Sequence, residues 1–147
     1  MSLRGYRNAS MENRFGKTSP YTIGVVEEFQ LVNPSTRELA PAIATVLETA
    51  PSGFQRLAPE LFQDCVKMRT PVFPNVAELV RHLPPVRGEV GQAAERAGVG
   101  IAASGLHPIS DPFVQKITLG ERYERMEEEL GTFARLQIIY ALHIHVW

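Results

Sequence analysis

The stretch Tyr21-Thr22-Ile23-Gly24-Val25-Val26-Glu27-Glu28-Phe29-Gln30-Leu31-Val32 reads as a β-strand, and its two faces decide the fold. Successive strand side chains point to opposite sides. Ile23, Val25, Glu27, Phe29 and Leu31 therefore share one face. Thr22, Gly24, Val26, Glu28 and Gln30 share the other. The first set belongs against a core, and the second is free to meet a ligand.

Outward from this strand the chain alternates sheet and helix signals. Asn33-Pro34-Ser35-Thr36 is a turn. A short helix is expected from about 41 to 50, with Pro41 at a first helical position, and Pro51-Ser52-Gly53 ends it. A second strand is expected over 61–68, closed by Thr70-Pro71. Asn75 caps a helix in which Val76, Leu79, Val80 and Leu83 keep helical spacing. Pro84-Pro85 either kinks that helix or starts a new one running to Ala97, with Gly98 as the stop. A short apolar strand at 99–104 and a loop at 105–111 follow.

Glu121 to Gln137 has the clearest helical pattern, with Tyr123, Met126, Leu130, Phe133 and Gln137 on one face. Ile138 to Trp147 is a last strand, apolar enough to be central in a sheet. The order predicts an α+β fold with helices packed on one face of the sheet and the other face left for ligands.

Composition narrows the function classes. The chain has 147 residues, 44% of them hydrophobic and 21% charged, which suffices for one domain with a real core. A net charge of −1 gives no electrostatic case for nucleic acid or an anionic membrane. No run is long enough to span a bilayer. Residues 1–20 are polar, lack an apolar centre and read as a flexible leader rather than a secretory signal. The single cysteine, Cys65, excludes an internal disulfide framework, and a reducing cytoplasm is the expected compartment.

Several residues carry chemistry. His143 and His145 stand two apart in a strand and project from one face, where imidazoles can bind metal, hold phosphate or carry a proton. The plainer reading is a histidine pair on a half-exposed sheet. Glu27 and Glu28 are adjacent and point to opposite faces, so they cannot both ligate one ion; both can equally solvate a strand end. Ser104-Gly105-Leu106-His107-Pro108 is a tight exit from a strand, suited to close backbone approach by a ligand or to nothing more than a surface turn. Arg122, in the first turn of a helix, can reach a phosphate or simply be solvated. Cys65 is expected to be a buried thiol. No Gly-rich phosphate loop is present, so any nucleotide must be held through metal ions and basic side chains.

Taken together, Ile23 to Phe29, Gln63 to Pro71, Ala103 to Pro108 and Leu142 to Val146 resemble the glutamate–cysteine ligase family, in its ATP-dependent carboxylate–amine ligase branch. That family reads Gly-Val-Glu-Glu-Glu-Phe in its first strand and has a Glu two places before an Arg-Thr-Pro triplet in its second. It then reads Ala-Ser-Gly-Thr-His-Pro in its loop and Gly-Leu-His-Val-His-Val-Gly in a later strand.

The resemblance implies a glutamine-synthetase-like fold, in which a curved antiparallel sheet holds ATP with Mg²⁺ or Mn²⁺. A carboxylate becomes an acyl phosphate, and an amine attacks it to give an amide. Residues 21–147 would be the N-terminal portion of such a catalytic domain, with small-molecule carboxylate and amine substrates. Glu28 and His143 would serve metal, and His145, His107, Arg122 and Lys67 would serve nucleotide or substrate.

The sequence departs from the family at Val26 and Lys67, where carboxylates are expected, and at Ala141 and Trp147, where glycines are expected. At about 4 Å and an effective dielectric of about 20, one charge against another is worth about 4 kcal/mol, so these changes argue against a tightly held metal cluster. Lys67 can instead contact phosphate directly, replacing an ion. The alternative is a truncated or degenerate relative acting as a binding or oligomerising module. Three expectations follow: this chain alone forms no amide; Val26 and Glu28 share a face with His143; and the apolar last strand drives association into a homo-oligomer.

Overall fold

The computed structural model describes residues 20–51 and 56–147. The leader expected over 1–20 falls outside these residues except for Pro20, as does most of the turn expected at 51–53. The fold is α+β, built on an antiparallel sheet of five strands. These are β1 (Ile23–Val32), β2 (Leu57–Pro59), β3 (Cys65–Arg69), β4 (Gly100–Ala102) and β5 (Leu142–Val146). The helices are α1 (Ile43–Thr49), α2 (Val76–Arg96), α3 (Glu121–Leu130) and α4 (Thr132–Arg135).

β1 is the axis of the sheet. One edge pairs with β3, through Val26 to Gln30, and β3 in turn carries β2. The other edge is shared end to end by β5, opposite Ile23 to Glu27, and β4, opposite Gln30 to Val32. One strand thus gathers partners from three distant parts of the chain.

The expected alternation in β1 holds. Phe29 and Leu31 pack with Val66 and Met68 of β3 against α1 and α2, and Ile23 and Val25 pack with Phe73 and Leu79. α2 runs unbroken through Pro84-Pro85. Its Val86, Val90, Ala93 and Ala94 are buried beyond the prolines, so packing holds the helix on course despite the lost backbone donors. Asn75 caps it as expected, accepting from the Glu78 N–H at 2.9 Å.

Four expectations need correction. The 121–137 helix breaks at Gly131, whose φ of 53° and ψ of −127° suit glycine alone, and no residue of α3 is buried. The helices do not all lie on one face. α1 and α2 cover the core face, whereas Met126 and Leu130 of α3 line a cavity on the opposite face with Glu28 and Cys65. The last strand is not central; among the described residues β5 pairs only with β1, and every one of its residues is exposed. Its apolar composition describes what it can contact, not what it contacts here. Finally, the 61–68 strand contracts to β3 with β2 added before it, and the 99–104 strand contracts to β4.

Candidate functional site

Register places the site. Opposed residues in an antiparallel pair share a face. Glu28 lies opposite Lys67, and Val26 lies opposite both Arg69 and His143 on its two edges. Gly24 lies opposite His145. Val26, Glu28 and His143 therefore share one face, as expected, and the same face carries Lys67, Arg69 and His145.

Glu28 is held at the centre of this face. Its carboxylate accepts from the Ala141 N–H at 2.9 Å, and its own N–H donates to the Ala141 carbonyl at 2.9 Å. It borders a cavity of about 260 Å³ with Glu60, Cys65 and His143. A second cavity, of about 200 Å³, brings Glu28 to Ser104 and Gly105. The Gln30 amide fastens that loop by donating to the Ser104 carbonyl at 3.1 Å. Glu27 points the other way: buried on the core face, it takes two hydrogen bonds of 2.8 Å from Arg87 of α2.

Lys67 is ion-paired with Glu60. Burial pushes the lysine below its usual range, and the positive charges of Arg69 and Arg122 push the same way against Glu28. Arg122 is exposed at the start of α3, with its guanidinium 5.7 Å from the Tyr123 ring centre.

His143, His145 and Trp147 form an aromatic row. The two imidazole rings meet edge-on with centres 6.4 Å apart, and the indole stacks on His145 at 5.8 Å. Trp147 lies over Gly24, and beside it Arg69 and Thr70 border a cavity of about 220 Å³.

His107 stands apart from this group. One ring nitrogen accepts from the Ser110 N–H at 3.1 Å, so the other carries the proton and donates to the Arg37 carbonyl at 3.0 Å. The ring fastens its loop to the turn after β1. Beneath this face, Asp64 accepts from the Tyr140 hydroxyl at 2.6 Å, while its second oxygen has no partner among the described residues. Burial lifts this carboxyl to about 6. Burial also raises the Cys65 thiol far above its usual range, so it stays neutral.

Sequence reasoning passed over Arg69 and Trp147 as site residues, although each stands two places from a named candidate in a strand and so must share its face. Glu60 and the Asp64–Tyr140 pair carried no local signal, because tertiary contacts alone bring them together.

The donors do not fit a divalent magnesium or manganese ion. Val26 offers no oxygen, Lys67 offers an ammonium, and one Glu28 oxygen is engaged by Ala141. Among the described residues, no group of three or more His, Cys, Asp and Glu is placed to hold a metal.

The model of glutamate–cysteine ligase family 2 matches residues 22–147. A Rubrobacter xylanophilus protein carrying the name glutamate–cysteine ligase 2-3 is 48% identical over 140 residues, covering 92% of this chain and 38% of the relative. A Sorangium cellulosum protein named as a glutamate–cysteine ligase 2 is 39% identical over 130 residues, covering 86% of this chain and 34% of the relative. The chain thus spans about a third of the length of these curated relatives.

Proposed function

Because this chain belongs to glutamate–cysteine ligase family 2, we propose that the face bearing Glu28, Lys67, Arg69, His143 and His145 is the nucleotide and substrate face of a carboxylate–amine ligase fold. The observation that supports this most is the register of β1. It collects cationic and imidazole side chains from β3 and β5 onto the side of the sheet away from α1 and α2.

In the reaction proposed for the whole protein, an oxygen of a substrate carboxylate attacks the γ-phosphorus of ATP. The bond from that phosphorus to the ADP oxygen breaks, giving an acyl phosphate. An amine nitrogen then attacks the acyl carbon, inorganic phosphate leaves, and the nitrogen gives up a proton as the amide forms. Transfer of this kind depends mostly on positioning and on neutralising phosphate charge. Arg69 supplies positive charge at this face, beside the Glu60-paired Lys67, and has the planar fork that grips two oxygens at once. His143 and His145 can donate to phosphate or accept the amine proton.

Val26 and Lys67 favour a second reading, in which the face binds such ligands without turning them over. One experiment separates the two. ATP and glutamate are titrated while Trp147 fluorescence is followed, and ADP release is assayed with glutamate and a panel of amines. Binding without turnover is the expected result, weakened by His143→Ala and Arg69→Ala. Turnover that needs the amine and disappears in Glu28→Ala would establish the catalytic reading. No binding of either ligand would remove the assignment of the face.

A further inference from the structure

Two carboxylates and an imidazole border the same cavity: Glu28, Glu60 and His143. Carboxylate oxygens and an imidazole are the groups that suit a cation, although among the described residues no three of them are placed to hold a metal ion. A cation is present, and it is part of the chain. Lys67 lies opposite Glu28 across β1 and β3, and its ammonium is ion-paired with Glu60. Its side chain is only 13% exposed, so its charge is spent on these neighbours more than on water.

We propose that the Lys67 ammonium stands in for a divalent cation on this face, neutralising Glu60 and Glu28 from a fixed position on β3, so that the anionic ligand is taken up without metal. The inference rests on reading this as the ligand face.

The geometry supports it in two ways. A lysine in the middle of a strand has its stem held by the sheet, so the ammonium cannot leave as a bound ion can. The same nitrogen also feels the positive charges of Arg69 and Arg122, against the negative charge of Glu28. A divalent ion entering the cavity would find both carboxylates already engaged, Glu60 by the Lys67 ammonium and Glu28 by the Ala141 N–H.

The test compares the full chain with Lys67→Glu and Lys67→Gln, each checked for folding by circular dichroism. Free Mn²⁺ is followed by electron paramagnetic resonance, and ATP binding is measured with Mn²⁺ or with EDTA. The parent is expected to leave Mn²⁺ free and to bind ATP equally in both conditions. Lys67→Glu, which trades a positive for a negative charge, is expected to capture Mn²⁺ at least about tenfold more tightly than the parent. That gain should vanish when Glu28→Gln is added. If Lys67→Glu does not fold, Lys67→Gln should still capture Mn²⁺ better than the parent, by a smaller factor.

Capture of Mn²⁺ by the parent that depends on Glu28 overturns the inference, as does a folded variant with no gain. ATP binding that requires Mn²⁺ overturns it while leaving the functional reading intact. Failure of ATP to bind in either condition removes the functional reading, whereas the Mn²⁺ result still decides the role of Lys67.

Discussion

Glu27 and Arg87 are joined by two hydrogen bonds of 2.8 Å on the core side of the sheet, back to back with Glu28 on the opposite side. Two adjacent glutamates thus have different roles. Strand alternation sends one into the packing with α2 and the other onto the face that carries Lys67 and His143. The fork-to-fork geometry fixes the position of α2 against the middle of β1, between the two apolar clusters.

Replacing Arg87 with Met should therefore destabilise the protein by about 2 kcal/mol, because it leaves the Glu27 carboxylate buried without its partner. The loss falls short of the about 3–5 kcal/mol seen when a fully buried pair is broken, since the Arg87 side chain is 43% exposed. Urea melts of the single and double variants check it. Arg87→Met with Glu27→Gln should recover part of the loss. A double variant no better than Arg87→Met alone would show that the arginine acts by packing.

Asp64 predicts a pH dependence. Its folded value is lifted from 3.8 to about 6, chiefly by burial, against the Tyr140 hydrogen bond and the nearby His107. The folded state therefore keeps a proton that the unfolded chain has already released. The penalty for charging the buried group is absent below about pH 4, grows as pH rises to about 6, and is constant above; it amounts to at most about 3 kcal/mol. Asp64→Asn can still accept from Tyr140 and cannot ionise. Its stability relative to the parent should rise from about pH 4 to about pH 6.5 and then level off, as read from thermal melts. A difference that stays flat with pH would refute the assignment.

What was legible in the sequence follows the range of the interactions involved. β1 could be read because period-two alternation is local, and with it the shared face of Val26 and Glu28; that His143 of another strand joins them was expected only from the family pattern taken together with alternation. The Asn75 cap could be read for the same reason. The α3 pattern misled, because Met126 and Leu130 line a cavity rather than a core, and because Gly131 breaks a pattern that hydrophobic spacing alone continues through. β5 misled in the opposite sense: hydrophobicity reports the capacity to be buried, and pairing with β1 leaves both of its faces open. The Lys67–Glu60 and Asp64–Tyr140 pairs were invisible, since each depends on how separate segments meet in space.

Trp147, the only tryptophan in the sequence, stacks on His145 and so reports on this face of the sheet. A Cβ added at Gly24 would lie 3.3 Å from the indole, tighter than ordinary contact but against a side chain that is 51% exposed and can move. Gly24→Ala should change stability by no more than about 0.5 kcal/mol, with the strand propensity gain and the crowding nearly cancelling. Gly24→Val should push the indole off the sheet. Emission should then shift to the red and acrylamide quenching should rise, with circular dichroism unchanged. An unaltered spectrum in Gly24→Val would mean that the stack on His145 does not hold in solution.

The outer edge of β5 sets the last prediction. β5 pairs with β1 along one side only, and among the described residues no strand covers the other. Leu142, Ile144 and Val146 stand on one face at 52%, 60% and 62% exposure, with His143, His145 and Trp147 on the other, and neither Pro nor a lysine, arginine or carboxylate interrupts them. Such an edge presents free backbone donors and acceptors beside apolar side chains, the arrangement that proteins usually block because it recruits another strand. The chain should therefore associate as its concentration rises, through β5. Ile144→Lys places a charge in the middle of the edge at a position that buries little, so it should suppress association while changing monomer stability by less than about 0.5 kcal/mol. Light scattering across a concentration series measures both proteins. A parent that stays at 16.4 kDa throughout, or an Ile144→Lys protein that associates as readily as the parent, would show that β5 is not the contact.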